Sequence, residues 1–466
     1  MLYCHTGDDI MAKAEYVTDF THGRVAVPLL KFALPLFIAS TLQVLYNMVD
    51  MIVVGQVLGK TGLAAVSVGG DVAHFLMFLA MGFSNAGQVI ISQYIGAKEE
   101  HRIGRFIGTL FFTLVVLGGV LTVGCLVWRE PILRWMNTPA EAWQDALDYA
   151  TVSIAGTVFI YGYNAASAVL RGMGDSKHPL VFIAIASILN VVLDVWFILG
   201  LGLRAKGAAL ATVISQAVSF LWSAWFIYRK REKFGLVFRA EEFVKIQKDE
   251  FFRLIKLGIP MAIKGAAIQF SKLFVNAYIN SYGVAVSGFY GIANKIGGIS
   301  NLVSNSLNAA GSSMVGQNIG AGEYHRVPRI MGVITVLTTG IAVFFSAIFL
   351  LFPQQVYSIF TAEAEVVAIG VEYLPIAVLI FFGSAARAPM NALMNGSGNT
   401  AVNFATAIFD GIVMRIGLAL LFGVVLKMGY FGFWLGDALA GFTPLVIGIV
   451  FYFLGSWRKQ LTLVSE

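Results

Sequence analysis

Successive apolar runs, each long enough to cross a bilayer, constrain this chain more than any other feature. A helix rises 1.5 Å per residue, so a hydrocarbon core of roughly 30 Å takes about 20 residues. Such runs occupy 27–54, 62–95, 104–128, 143–171, 179–203 and 207–228. After a charged stretch they resume at 252–282, 286–317, 328–352, 368–396, 401–426 and 430–455. They are apolar all round, whereas barrel strands alternate. Composition agrees, because 58% of the residues are hydrophobic and 12% charged, against about 25% charged in soluble domains. The sequence predicts an all-α integral membrane protein of twelve transmembrane helices.

The basic residues set the orientation. Lys98, Arg102 and Arg105 follow the second run, Arg171 and Lys177 the fourth, and Arg326 and Arg329 the eighth. Arg229, Lys230, Arg231, Lys233, Arg239, Lys245 and Lys248 follow the sixth. Loops after odd-numbered runs hold fewer cations, so both termini are expected on the cytoplasmic side of the inner (plasma) membrane. The first 25 residues carry Asp8, Asp9, Glu15 and Asp19 without an apolar segment, so the first span is expected to act as the signal anchor. Cys4 and Cys125 offer neither a disulfide framework nor metal-ligand spacing. The basic stretch 229–248 has no aromatic platform or recognition motif, which argues against a nucleic-acid partner.

The chain also repeats itself. Ser92-Gln93-Tyr94-Ile95-Gly96-Ala97-Lys98-Glu99-Glu100-His101-Arg102 recurs as Gly316-Gln317-Asn318-Ile319-Gly320-Ala321-Gly322-Glu323-Tyr324-His325-Arg326, 224 positions on. At the same offset Gly172-Met173-Gly174-Asp175-Ser176 becomes Gly396-Ser397-Gly398-Asn399-Thr400, and Pro35 and Pro260 stand 225 apart. Each copy holds six spans, an even number, so the copies share one orientation. This gives two homologous six-helix bundles related by a pseudo-two-fold axis along the membrane normal. The expected division is an N-terminal lobe at 1–235, a cytoplasmic linker at 236–250 and a C-terminal lobe at 251–466. Gly172 and Gly174 resemble part of a phosphate loop but lack a preceding strand, and a tight turn is the expected role.

Ionisable groups in the hydrocarbon cost at least about 2.5 kcal/mol each on insertion scales. Asp50, Asp71, Asp194, Asp410 and Asp437 therefore need reasons. Gln43, Asn47 and Asp50 are spaced four and three apart, as one helix face requires. Ser187, Asn190 and Asp194 form a second stripe, and Thr212, Ser215, Gln216 and Ser219 a third. Tyr149, Tyr163 and Asn164 add polar groups from the fourth run. Four helices of one lobe thus turn polar faces away from lipid. Polar stripes often only join helices, which accounts for the hydroxyls and amides. It does not account for Asp50 and Asp194, whose stripes contain no cation, and these two are expected to be functional. Asp71 and Asp437, near turns, are expected to be structural. The second lobe instead carries Lys264, Lys272, Lys295, Arg387 and Arg415, and it has Val275 and Leu418 where the repeat would place Asp50 and Asp194.

These residues closely resemble the multidrug and toxic compound extrusion (MATE) transporters. The marks are Tyr46-Asn47-Met48-Val49-Asp50 with Val54-Gly55, Gln93-Tyr94-Ile95-Gly96-Ala97, Arg171-Gly172-Met173-Gly174-Asp175 and Asn190-Val191-Val192-Leu193-Asp194. Gly207-Ala208-Ala209 through Ala211-Thr212, and Val315-Gly316-Gln317-Asn318-Ile319-Gly320-Ala321, complete them. The resemblance implies a V-shaped pair of bundles exporting cationic or amphipathic organic molecules by antiport with H⁺ or Na⁺, as a monomer without cofactor. It implies a cation site in the N-terminal lobe at Asp50, Asn190, Asp194 and Thr212, with Tyr149 and Asn164 in the surrounding network, to which the stripe on the first run adds Asn47 and Gln43. Pro35 matches a proline at which the first helix bends. The second-lobe glutamate of another branch is missing, since Ala267 and its neighbours are apolar.

The alternative within transport is a lipid-linked sugar or phospholipid flippase of the same superfamily, whose cavity would be more basic. An intramembrane enzyme is disfavoured, because the chain contains no H-E-x-x-H, G-x-S-x-G or Walker motif. Orientation is directly testable. Tags at residue 235 and at the C-terminus should both react with reagents confined to the cytoplasmic side. Protection of either one in well-inserted protein contradicts the assignment.

Overall fold

The computed structural model describes residues 16–234, 236, 246–361 and 363–459. Cys4, the tag position at residue 235 and most of the 236–250 linker lie outside the described residues. Among the described residues there is no strand. Helix α1 spans Ala26–Gly96, α2 Glu100–Val127, α3 Arg129–Trp135, α4 Trp143–Ala155, α5 Thr157–Gly172, α6 Lys177–Asp194, α7 Arg204–Arg229 and α8 Lys248–Asn280. They are followed by α9 Val284–Gly320, α10 Val327–Leu351, α11 Pro353–Ser358, α12 Ala364–Glu372 and α13 Leu374–Gly396. The last are α14 Thr400–Ile408, α15 Arg415–Leu420, α16 Gly429–Ala440 and α17 Thr443–Leu454.

Eight helical stretches among the described residues are long and apolar enough to cross a membrane, or nine if α4 and α5, bent by 43°, form one span. Helix α1 runs for 71 residues, and Gly59 interrupts it with φ 61° and ψ −154°, a conformation open to glycine. The break falls between the expected runs 27–54 and 62–95. Outward faces are apolar, with Val120, Val123, Leu199, Leu221 and Phe453 all largely exposed. Water would not tolerate such a surface; lipid matches it.

The helices gather into two compact units. Among the described residues, one holds 16–19 and those from Leu34 to Ala262, and the other holds Phe20–Ala33 and those from Ile263 onward. Both divisions fall within a helix, beside Pro35 in α1 and Pro260 in α8. The opening of α1 thus belongs with the second unit, and the opening of α8 with the first.

The repeated motif supplies the grip on both openings. In the second unit, the Phe20 N–H donates to Gln317 Oε1 at 2.9 Å, and Asn318 Nδ2 donates to the Phe20 carbonyl at 3.1 Å. Arg326 donates to the carbonyls of Phe20, His22 and Gly23 at 3.1–3.3 Å, and through Nε to Asn318 Oδ1 at 2.9 Å. In the first unit, Glu250 accepts from the Tyr94 hydroxyl at 2.5 Å and from Arg102 at 3.0 Å. Arg253 donates to that same hydroxyl at 3.2 Å. Each copy of the motif holds the start of the other half's first helix.

The repeat persists in the turns. Lys98 has φ 58° and its counterpart Gly322 has φ 76°, while Gly174 and Gly398 have φ 81° and 69°. The Glu99 N–H donates to the Tyr94 carbonyl at 2.9 Å, as Glu323 does to Asn318 at 2.8 Å. Asp175 Oδ1 accepts from the N–H groups of Lys177 and His178 at 3.0 and 3.2 Å, and Asn399 Oδ1 accepts from Val402 at 3.0 Å, capping α6 and α14. The glycine pairs are therefore turns that launch helices, as expected.

Small residues set how closely helices approach. Gly432 and Gly436, four apart on α16, face Phe422 and Ala419, and a Cβ at Gly436 would collide with the Ala419 backbone. Gly436→Ala should destabilise the protein by about 1–3 kcal/mol, because backbone has to move. Gly119→Ala, with nothing within 4 Å of the added carbon, should be neutral or stabilising. Thermal unfolding of both variants in one detergent checks the contrast.

Candidate functional site

The first unit concentrates buried polar groups where α1, α4, α6 and α7 meet. Asp50 on α1 is 7% exposed and Asp194 at the end of α6 is fully buried. They repel one another electrostatically, and each leaves its Oδ1 without a hydrogen-bond partner among the described residues. A buried carboxylate oxygen with no donor from the protein is costly, and a proton or cation bound there would offset that cost.

Asn190, one turn before Asp194, is 1% exposed. With its Nδ2 directed at Asp194 Oδ2, at 3.3 Å, its oxygen accepts from the N–H and the hydroxyl of Thr212, both at 3.3 Å. The reverse orientation sets amide oxygen against carboxylate oxygen, so the donor-to-carboxylate arrangement is favoured. Asp194 lies just before a π-helical turn, Val195–Gly200, a local widening that accompanies many functional sites.

Tyr46 on α1 brings its hydroxyl beside Gln43 and, across the helix boundary, beside Gln216 of α7, within the field of both Asp50 and Asp194. Tyr149 from α4, 8% exposed, lies in the field of the same two carboxylates, with Ser153 beside its hydroxyl. Packed around Tyr149 are Val54, Ala65, Ala146, Ala205 and Ala208, small side chains that let four helices approach the carboxylates closely.

The expected residues are therefore brought together only in part. Asp50, Asp194, Asn190, Thr212, Tyr149 and Gln43 join one cluster. Asn47 is exposed, and Tyr46 takes its place on the inward face. Both spacings, 43-46-50 and 43-47-50, suit a helix, and the amide is the more polar choice, so the sequence points to the wrong neighbour. Asn164 is half-buried and spends its Nδ2 on the carbonyl of Ile160 in its own helix, at 2.8 Å. Pro35 is half-buried and stands beside the division between the units. Gln216 is the other residue that the sequence reading placed only in a stripe. Its i+4 spacing from Thr212 is the signal that links it to the site.

Chemically, two close carboxylates, an amide and a hydroxyl offer oxygen donors of the kind hard monovalent or divalent cations take, and either carboxylate can hold a proton. Among the described residues, no three His, Cys, Asp or Glu side chains gather as a metal site.

The second unit's charges follow a different arrangement. Arg415, 2% exposed, pairs with Asp410 at 3.1 Å and also with Asp437. Lys264 donates to Asn391 Oδ1 at 2.7 Å. Arg387 donates to Asn301 Oδ1, and to Ser384 Oγ at 3.2 Å.

The MatE family model matches residues 35–196 and 260–440. The chain is 29% identical over 437 residues to the probable multidrug resistance protein YoeA of Bacillus subtilis (strain 168), covering 92% of this chain and 93% of that protein. It is 25% identical over 445 residues to the probable multidrug resistance protein NorM of Thermotoga maritima, covering 94% of each. Among solved structures, MATE in the bent conformation superposes with a TM-score of 0.85 at 24% identity, covering 96% of this chain and 98% of that one.

The two candidate faces of α1 can be told apart. Tyr46→Phe removes the buried hydroxyl that lies beside Gln43 and Gln216 and should cost about 1 kcal/mol of stability. Asn47→Ala should leave thermal unfolding within error of the unaltered protein. Equal losses from the two substitutions would place the polar face elsewhere.

Proposed function

Since the chain belongs to the MatE family, we propose that it exports small organic molecules, cationic or amphipathic, by antiport against H⁺ or Na⁺ with alternating access. The reading takes twelve spans in two parallel six-helix lobes, 1–235 and 251–466, joined by the 236–250 linker. Both termini face the cytoplasm, and a monomer works in the plasma membrane without a cofactor. The observation that carries the proposal is the pair Asp50 and Asp194, buried together with an unpartnered oxygen on each.

Two carboxylates at close range in a poorly hydrated place do not both stay ionised cheaply. A proton or Na⁺ arriving there removes the repulsion. Asn190 and Thr212 contribute neutral oxygens to an ion, while Tyr46 and Tyr149 sense both charges and register the change. Helix α1 contains both Asp50 and Pro35. Proline removes one helical hydrogen bond, which makes bending there cheap. Occupancy of the carboxylates is thereby linked to the shape of α1. By reciprocal linkage, a cation that favours one shape weakens whatever cargo favours the other.

The flippase alternative draws on the cationic side chains of the second unit. The two readings separate on cargo: an exporter of this kind moves a soluble organic cation, and a flippase moves a lipid.

Asp194→Asn keeps the shape and removes the titrating charge. In proteoliposomes, gradient-driven transport of an organic cation should fall to background in this variant while expression and unfolding temperature hold. Asp71→Asn, at an exposed position, should transport normally. Undiminished transport by Asp194→Asn under both pH and Na⁺ gradients contradicts the coupling role.

A further inference from the structure

The second unit contains a small cavity, with about 60 Å³ of room for the centres of water-sized molecules. Its wall carries three cations, Lys272, Arg387 and Arg415, and one carboxylate, Asp437. Asp437 and the nearby Asp410 both accept from Arg415. That guanidinium therefore uses both carboxylates. Arg387 and Lys264 hydrogen-bond only neutral oxygens, those of Asn301, Ser384 and Asn391. Lys272 makes no hydrogen bond among the described residues, and the charges it senses most are Asp437 and Arg415.

Three cations thus lack a direct carboxylate partner in a unit whose outer face is apolar. All three are half-buried; a cation at that depth without a counter-charge is unfavourable, and an anion brought among them offsets part of the cost. Donors also outnumber acceptors, because Arg415 Nε and Trp434 Nε1, on two residues of the wall, have no acceptor. The remainder of the wall includes Tyr290, Tyr373, Trp434 and Ile380, surfaces that suit an apolar or aromatic body.

We propose that this cavity binds a small organic anion, a carboxylate, sulfonate or phosphate carried on an apolar body no larger than one ring. Arg387 and Lys272 hold the anionic group, and the aromatic wall holds the body. Arg415 is fixed by Asp410 and Asp437 and keeps the positive field in place. The site is separate from the Asp50–Asp194 cluster and has the opposite charge. It goes beyond the export reading and does not depend on it.

The test uses the full chain in nanodiscs of phosphatidylcholine, with binding measured by calorimetry in the absence of any gradient. The probes are benzoate and benzylammonium, which share a ring and differ in charge. The benzoate should bind and the ammonium should not. Lys272→Gln and Arg387→Gln should each weaken benzoate about tenfold, as loss of a charged hydrogen bond does. Lys272→Gln breaks no hydrogen bond, so its unfolding temperature should be unchanged, which keeps the test clear of misfolding. Replacing part of the lipid with phosphatidylglycerol identifies the source of the anion. Competition with benzoate makes a lipid headgroup the natural occupant; no competition makes it a soluble molecule. Equal binding of both probes, or unchanged benzoate affinity in both variants, overturns the proposal. Loss of transport in Asp194→Asn bears only on the export reading, so the two can fail independently.

Discussion

Hydrocarbon offers no hydrogen bonds, and most of this structure follows from that. Every backbone N–H and C=O at membrane depth has to be satisfied within the chain, which helices do. The same demand applies to side chains. Ser187 and Ser219 donate to the carbonyls of Ile183 and Phe182, and Asn164 to that of Ile160. Against that background an unsatisfied group stands out, and the bare oxygens of Asp50 and Asp194 lie beside another charge of the same sign.

The architecture was legible because its cause is one-dimensional. Span length depends on rise per residue, and helices cover each of the apolar runs. The grouping of polar stripes was legible for a related reason: residues that avoid lipid on several helices tend to find one another. The choice between Tyr46 and Asn47 was not. Both fit the helical period, and only packing against Gln216 on a distant helix decides between them. Asn164 was drawn into the expected site by its polarity, although its own backbone already satisfies it. The partners of Tyr94, Arg102, Gln317 and Arg326 lie 148 to 306 positions away in sequence, a distance across which no periodicity operates. The repeat announced that these residues mattered without showing what they hold.

The two halves have kept their turns and changed their chemistry. The positive φ at Lys98 and Gly322, the glycines at 174 and 398 and the caps at Asp175 and Asn399 occur in both. The carboxylates of the first unit, however, have Val275 and Leu418 in the corresponding positions of the second, where Lys264, Lys272, Arg387 and Arg415 stand instead. Turns are constrained by backbone geometry and tolerate little change. A polar interior is constrained mainly by what it has to bind, so duplication left it free to diverge. One scaffold thus carries two interiors of opposite sign.

The exchanged helix openings bear on how such a molecule could arise and be divided. Each motif copy grips residues encoded by the other half of the gene, so neither half translated alone contains both sides of a grip. A single ancestral half could have met its own requirement by trading that segment with a second copy of itself, as domain-swapped dimers do. Fusion of two such genes would then have preserved the trade as an internal feature. In the present chain it follows that cutting the peptide in the charged linker separates sequence without separating structure. Fragments made there are complementary pieces, each folding around a stretch of the other.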